Sequence, residues 1–324
     1  MTLARSIPLA LTALLLIACS KPETASAPRP AAPETPPPPP APSLDETVRD
    51  FRIGAYAAMA LRDGALQVPN DAKTIGVGRS PEEIATLLSA AGVSTTELSL
   101  NVQPLLVDAK ERLMLFDAGA GASMGEGVGQ LAQSMKQAGI EPIRITDVFI
   151  SHAHGDHIGG LIDASGAPVF PNANIYLSRP EWEFLQKLGE EDAAKMGIKN
   201  YKALIDAITP KVFAFTPDRE IIPGVVKAVE IKGHTPGHSG YLITSGSDSL
   251  LYIGDAAHHY VVSVQEPDWT IAFDRDAPTA QASRKALIAE SAASGQRIYA
   301  VHFPFPGLGK FEKQGERYIW KAEM

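Results

Sequence analysis

The pattern of hydrophobic and polar positions divides the chain from about residue 45 onward into short apolar runs and longer amphipathic stretches. The apolar runs predict strands at "DVFI", "NIYLS", "KVFAF", "VVKAVEI", "GYLITS", "SLLYIGD" and "RIYAVHF". The longer stretches predict helices over 80–92, 129–139, 180–189 and 192–207, and a last one at "TAQASRKALIAESAASG". Strands and helices alternate, but short turns join many neighbouring strands. The pattern therefore predicts an α/β fold of two mixed sheets packed together with helices outside, in four layers.

Local signals add detail in the first half of the globular part. Ser80 is placed to cap the helix over 80–92, with Pro81 in its first turn and Gly92 at its end. The dipeptide Asp63-Gly64 predicts the turn of a hairpin between "FRIGAYAAMAL" and "ALQV". Two more strands, "LSLNVQPLLVD" and "RLMLFDAG", are predicted to meet at a turn over 109–111.

The first 44 residues have a different pattern, typical of an export signal and a spacer. Arg5 precedes the apolar run "IPLALTALLLIA", which is too short to span a bilayer and fits the core of a signal peptide. The segment "LIAC" resembles a bacterial lipobox, so we expect a lipoprotein-type signal peptide over 1–18 and a lipid on Cys19. An ordinary secretory signal cut nearby is the alternative.

Proline dominates the segment that follows Cys19. The stretch "KPETASAPRPAAPETPPPPPAPS" favours extended polyproline II over helix or sheet, and predicts a linker over 19–44. Residues 45–324 are expected to form the globular domain. Ser20, rather than aspartate, favours the outer membrane, so we expect an exported protein held on the periplasmic face of that membrane by its lipid.

Charge and cysteine content narrow the class of partner. The 324-residue chain has a net charge of −8, and its basic residues are scattered, which argues against binding to nucleic acid. Cys19 is the only cysteine, so no disulfide within the chain is possible. We therefore expect no nucleic-acid partner, and we expect the membrane to be the partner of the lipid anchor.

Three of the eight histidines lie within the stretch "ISHAHGDHIGG", residues 150–160. Other candidate ligands follow or end predicted strands, where side chains from different strands converge on one rim: His234, Asp255 and His302. Neutral imidazole and carboxylate are ligands of divalent transition metals. The pattern therefore predicts a site for one metal or two, with a polar surface loop as the alternative.

The motif "HAHGDH", followed in order by His234, Asp255 and His302, resembles the metallo-β-lactamase superfamily over roughly residues 50–320. The resemblance implies the αβ/βα sandwich of that superfamily. It also implies that His152, His154 and His234 hold one metal and that Asp156, His157 and His302 hold a second. Asp255 would bridge both ions together with a water or hydroxide. Two zinc ions are expected, and Asp156 and Asp255 are the candidate catalytic residues.

Further residues resemble the supporting positions of the family. Asp117 in "LFDAG" matches its first motif, where the carboxylate organises the metal loop, and a turn-forming aspartate is the alternative. His238 is expected to support the site through hydrogen bonds, with an ordinary loop histidine as the alternative. His258 and His259 lie close after Asp255, and we interpret both as ordinary histidines. Six aromatic residues are candidates for an apolar pocket wall, although at least half should belong to the core: Trp182, Phe184, Trp269, Phe273, Phe303 and Phe305.

The resemblance implies a dinuclear hydrolase in which the bridging hydroxide attacks the substrate. The segments "FPNANIY", "GHTPGHSGYLI" and "FPFPGLGKFEKQGERYIW" resemble the methyl parathion hydrolase-like branch, whose relatives also include lactonases. Small residues and Met124 replace the aromatic wall of that branch. The expected substrate is therefore an uncharged small molecule, a lactone or a carboxylic ester, with phosphotriesters as a further class. Alternatives are an organophosphate triesterase, a glyoxalase II-like thioesterase and a β-lactamase. A lipid-anchored metal-binding module without activity is the non-enzyme alternative.

Overall fold

The computed structural model describes residues 46–323. The predicted signal peptide, Cys19 and the linker lie outside the described residues. Two seven-stranded mixed sheets form the centre of the fold. Among residues 46–323, no helix combines the length and apolarity needed to cross a membrane.

The first large sheet has the strand order β1, β2, β6, β7, β8, β9, β10, and its last four strands run parallel. Its strands are β1 (Val48–Ile53), β2 (Tyr56–Leu61), β6 (Leu105–Asp108), β7 (Leu113–Phe116), β8 (Asp147–Phe149), β9 (Asn174–Ser178) and β10 (Val212–Phe215). The second large sheet has the order β11, β12, β13, β14, β16, β17, β18. Its strands are β11 (Glu220–Ile222), β12 (Val226–Glu230), β13 (Ser239–Ser245), β14 (Asp248–Tyr252), β16 (Arg297–Tyr299), β17 (Leu308–Gln314) and β18 (Arg317–Ala322).

Two small sheets and eight α-helices complete the described chain. The small sheets pair β3 (Gly64–Pro69) with β5 (Glu97–Val102) and β4 (Ile75–Val77) with β15 (Thr270–Ile271). The helices are α1 (Pro81–Ala90), α2 (Leu131–Gln137), α3 (Gly155–Ile158), α4 (Arg179–Lys187), α5 (Glu190–Lys195), α6 (Tyr201–Ile208), α7 (Val262–Gln265) and α8 (Ala277–Ser294). The expectation of two mixed sheets with helices outside, in the αβ/βα arrangement, is confirmed.

Aromatic side chains pack the two large sheets against each other. Phe149 stacks on Phe116 and Tyr176 of its own sheet, with ring centroids 4.9 and 4.8 Å apart. Tyr241 of the facing sheet meets Phe149 edge-on at 5.5 Å. The buried Tyr241 hydroxyl donates to the carbonyl of Ile150, just before the histidine-rich loop. Packing between the sheets therefore also places that loop.

Helices cover the outer faces of both sheets. Apolar residues of α2, α4 and α6 join one core cluster with the first sheet, and Ile288 of α8 joins another with the second sheet. The helix α1 begins as predicted, because the Ser80 hydroxyl accepts from the backbone N–H of Glu83 and the Glu83 carboxylate accepts from that of Ser80.

The predicted hairpin at Asp63-Gly64 is wrong. Instead β2 turns back on β1 at Gly54, which has φ +55°, and β3 pairs with β5 in a separate sheet. The reason is that the buried Asp63 carboxylate accepts backbone N–H groups of Ala120, Gly129 and Leu131. Asp63 therefore organises a loop some 60 residues further along the chain, and no local turn forms.

Two predicted elements are interrupted. The helix expected over 192–207 is split into α5 and α6, because Gly197 and Asn200 adopt left-handed backbone with φ +76° and +52°. The strand expected over "LSLNVQPLLVD" is split into β5 and β6 at Gln103-Pro104, where proline cannot donate to a ladder. The buried Gln103 amide instead donates to the carbonyls of Ala300 and Phe303. The sequence predicts no strand at β17, because apolar and polar residues do not clearly alternate there.

Replacement of Asp63 tests this account of the loop. Asp63→Ala should lower the free energy of unfolding by about 3 kcal/mol, because three buried N–H groups lose their acceptor. The measurement is urea unfolding followed by circular dichroism. Asp50→Ala, at an exposed position of β1, is the control and should leave stability nearly unchanged. Equal stability of the two variants would contradict the proposed anchoring.

Candidate metal centre

Seven histidine and aspartate side chains meet at the carboxyl ends of strands from both large sheets. The loop after β8 supplies four of them, and the segments after β12, β14 and β16 supply one each. They form two groups in which the ligand atoms lie within 4.8 Å of one another: His152, His154, His234 and Asp255, and Asp156, His157 and His302. This is the division that the family resemblance implies, and each of the expected ligand positions takes part.

In the first group, three ring nitrogens converge. His154 Nδ1 lies 2.9 Å from His152 Nε2 and 3.0 Å from His234 Nε2. Asp255 Oδ2 lies 3.3 Å from the same nitrogen of His234. Burial and the neighbouring histidines lower the pKa of His154 to about 3 and hold that of His152 well below its usual value. Three imidazoles facing one point, with a carboxylate oxygen beside them, form the donor set of a tetrahedral zinc-type site.

In the second group, Asp255 takes part through its other oxygen. Asp255 Oδ1 lies 3.1 Å from His157 Nε2 and 3.0 Å from His302 Nε2. Asp156 Oδ2 lies 3.5 Å and 3.6 Å from those same two nitrogens. Asp255 Oδ1 and His157 Nε2 are both buried, and despite their 3.1 Å separation neither atom forms a hydrogen bond. Because buried polar atoms are normally satisfied, these orphaned atoms fit a bound cation, and the residues fit two divalent ions.

The far nitrogen of three imidazoles is held by an oxygen acceptor. His157 Nδ1 donates to Asp117 Oδ2 at 2.6 Å, and His302 Nδ1 donates to the carbonyl of Asn101 at 2.6 Å. His234 Nδ1 donates to Asp274 Oδ1 at 2.9 Å. These bonds fix the orientation of each ring with its Nε2 aimed into the site, as metal ligation requires.

Asp117 lies where the sequence predicted it, beneath the metal loop. Its buried carboxylate accepts from the backbone and hydroxyl of Ser151, from His157, and from the hydroxyl of Tyr252. Asp117 has φ +58°, a conformation that a simple turn residue can share. The four hydrogen bonds distinguish Asp117 from a simple turn residue, because they join the metal loop to the second sheet.

His238 supports Asp255 through the backbone. Its Nδ1 donates to the carbonyl of Ile231, and its Nε2 accepts the N–H of Asp255 at 2.9 Å. Burial and the adjacent His234 lower the pKa of His238 to about 3, so the imidazole stays neutral and can accept this bond. The predicted supporting position of His238 is thus matched by its contacts.

Sequence reasoning missed the buried ion pair that orients His234. Arg284 of α8 lies 2.7 Å from Asp274 Oδ2 and donates to the carbonyl of Ala256, next to Asp255. Burial alone favours the neutral acid, but the hydrogen bond from His234 and the Arg284 charge lower the pKa of Asp274 to about 2. Neither residue belongs to a motif, so no signal in the sequence singled them out.

His258 and His259 differ in their surroundings. The Nδ1 atom of His259 accepts the N–H groups of Val261 and Val262, as befits an ordinary histidine at a helix start. His258 instead faces the metal centre, with Nε2 3.2 Å from Asp255 Oδ2 and its ring stacked on His302. The interpretation of His258 as an ordinary histidine is therefore wrong, because its three-residue separation from Asp255 brings it back to the site.

A cavity of about 230 Å³ opens over the two groups. Its apolar wall consists of Leu66, Leu100, Met124, Met196 and Phe273. Of the six predicted aromatic residues only Phe273 lines this cavity. Trp182, Trp269, Phe303 and Phe305 pack in core clusters, and the Phe184 ring stacks under Arg275.

Residues 100–302 match the family model of the metallo-beta-lactamase superfamily. The chain belongs to this superfamily. The expected family and fold are thereby confirmed, and the chemistry that such a site supports is metal-dependent hydrolysis. The specific roles of the individual side chains remain predictions.

Two solved structures share the fold over most of the chain. AidC, a dizinc quorum-quenching lactonase solved with a product, is 29% identical with a TM-score of 0.78, covering 86% of this chain and 97% of AidC. The hydrolase AbOPH of the beta-lactamase superfamily is 25% identical with a TM-score of 0.76, covering 86% and 98%. A probable metallo-hydrolase of Mycobacterium bovis is 24% identical over 202 residues, which are 53% of this chain and 62% of that relative. The chain thus spans less than two thirds of the curated relative.

The position of Asp255 between the two ligand groups predicts the metal content of the protein and of its variants. The wild-type protein should retain two equivalents of metal after dialysis, measured by inductively coupled plasma mass spectrometry. Asp255→Asn should retain about one, because an amide offers one oxygen acceptor and no charge to the two groups. Asp206→Ala, at an exposed position of α6, is the control and should retain two. Two tightly held equivalents in Asp255→Asn would contradict the bridging position.

Proposed function

We propose that this metal-dependent hydrolase opens lactones or cleaves carboxylic esters. The observation that carries the proposal is the Asp255 carboxylate, which presents one oxygen to each ligand group at the floor of a cavity with an apolar wall. The 29% identity to a dizinc lactonase over 86% of the chain supports it. The alternative of a metal-binding module without activity is disfavoured, because a histidine or aspartate is present at each of the seven ligand positions.

The chain's own residues set the electrostatics of the reaction. Two divalent ions, zinc in our proposal, would when bound supply the Lewis acidity that activates water and polarises the scissile carbonyl. The five histidines bring no charge in their neutral form, while Asp156 and Asp255 bring one negative charge each. The carboxylates therefore offset only half of the ions' +4, and the site stays electrophilic toward a neutral acyl group.

The cavity favours a compact, uncharged substrate. At about 230 Å³ it is smaller than the roughly 300–1,000 Å³ of common ligand pockets. Leu66, Leu100 and Met124 line one part and exclude water from an acyl chain. Phe273 is 41% exposed and lies at the cavity, where an entering substrate can contact it.

Phosphotriesters are the second candidate substrate class. The proposal rests on the resemblance of "FPNANIY" and of the segment after His302 to the methyl parathion hydrolase-like branch. The flexible Met124 side chain stands at the cavity in place of a bulky aromatic wall. We therefore expect phosphotriester turnover to be slower than lactone opening.

A substrate panel tests the proposed activity. It comprises acyl-homoserine lactones of several chain lengths, an aromatic lactone, aryl esters, a phosphotriester, a glutathione thioester and a β-lactam. A lactone or carboxylic ester should give the highest kcat/KM, a chelator should abolish the activity, and zinc should restore it. Asp255→Asn, purified in parallel, controls for contaminating hydrolases and should lose at least about 100-fold. Turnover of the β-lactam alone, or activity that survives the chelator, would contradict the proposal.

We also propose that the protein is exported and held at the periplasmic face of an outer membrane by a lipid on Cys19. The support is the lipobox-like "LIAC" and the proline-rich spacer after it. In a bacterial host, the wild-type chain should incorporate labelled palmitate and sediment with membranes, whereas Cys19→Ser should do neither. An unlabelled wild-type chain whose mature N-terminus lies away from Cys19 would instead indicate an ordinary secretory signal.

A further inference from the structure

Another buried carboxylate, Glu181, lies beside the first ligand group without belonging to it. It is in the first turn of α4 and is completely buried. Neither the ligand groups nor the cavity lining includes it. A buried carboxylate is costly unless hydrogen bonds compensate the loss of solvation, so its partners indicate what it does.

The partners of Glu181 are donors from two ligand-bearing loops. Its Oε1 atom accepts the N–H of Ala153 at 2.8 Å. Its Oε2 atom accepts the Thr235 hydroxyl and the Gly237 N–H, each at 2.8 Å. Ala153 separates His152 from His154, and Thr235 directly follows His234. One carboxylate thus joins the backbone segments that carry the three imidazoles of the first group.

The helix that carries Glu181 is itself fixed to one of these loops. Ser178 caps α4 by accepting the N–H of Glu181, and its hydroxyl donates to the carbonyl of Gly237 at 2.6 Å. A Cβ on Gly237 would come within 2.2 Å of Ser178 Oγ and 2.3 Å of the Glu181 nitrogen. The loop and the helix are therefore packed backbone to side chain, and the carboxylate has little freedom to shift.

All three contacts require an acceptor, which only an ionised carboxylate supplies on both oxygens. Burial raises the pKa of Glu181 above its ordinary value, and the three donors and the nearby His234 offset part of that rise by favouring the ionised form. An amide at this position would turn its NH₂ group toward one of the two loops. One side of the link would then be lost even though the side chain kept its shape.

The second ligand group is anchored by other residues. His157 is held by Asp117, and His302 is held by the carbonyl of Asn101. Neither Asp117 nor Asn101 is bonded to Glu181. We infer that Glu181 is a positioning residue for the first metal group, which sets the spacing between the "HAH" segment and His234 and so controls metal affinity there but not at the second group. The inference concerns metal binding alone, so it stands or falls separately from the proposed substrate.

Zinc affinity in single-group backgrounds tests the inference. His302→Ala leaves the first ligand group complete, and His154→Ala leaves the second ligand group complete. Adding Glu181→Gln should raise the zinc Kd by about 10- to 100-fold in the His302→Ala chain, the range typical for loss of a residue that orients metal ligands. The same change should raise it less than about threefold in the His154→Ala chain. Competition with a chromophoric chelator measures both constants.

Two further variants keep the test decisive. Glu183→Gln, an exposed position two residues along the same helix, should change neither Kd. Thr235→Val removes a single donor at similar size and should raise the Kd in the His302→Ala chain alone, by less than Glu181→Gln does. An unchanged Kd for Glu181→Gln in the His302→Ala chain would overturn the inference. An equal rise in both backgrounds would overturn it too, because Glu181 would then act only on general stability.

Discussion

One buried carboxylate, Asp255, imposes the central constraint on this structure. Its two oxygens face two separate groups of imidazoles, at 3.0–3.6 Å from their ring nitrogens. Seven ligands from four places in the chain must therefore converge within a few ångströms of one side chain. The hydrogen bond from the Asp255 N–H to His238 fixes the backbone at this point. The rest of the fold can be understood as a means of satisfying that convergence.

The two large sheets meet this constraint by ending their strands at a common edge. Strand β8 belongs to the first sheet, and β12, β14 and β16 belong to the second, so the site lies where both sheets contribute. Asp117 and Tyr252 connect the sheets directly beneath the metal loop. Rigid strands thus position the ligands, and the loops are held by buried carboxylates at 117, 181 and 274.

Much of this could be predicted from the sequence, because the informative residues carry local signals. The "HAHGDH" run is dense in ligands, and the other three ligands follow or end apolar runs that predict strands. The residues that were missed act over long separations and leave no local pattern. Asp63 reaches the backbone at 120–131, Glu181 bonds residues 28 and 56 positions away, and Arg284 lies on a helix without an apolar stripe. His258 was misread because its environment depends on how the chain returns after Asp255.

Anomalous X-ray scattering at the absorption edge of the bound metal tests the central claim most directly. The account predicts two peaks, one beside His152, His154 and His234 and the other beside Asp156, His157 and His302, with Asp255 between them. A single peak, or a pair of peaks that does not flank Asp255, would contradict it.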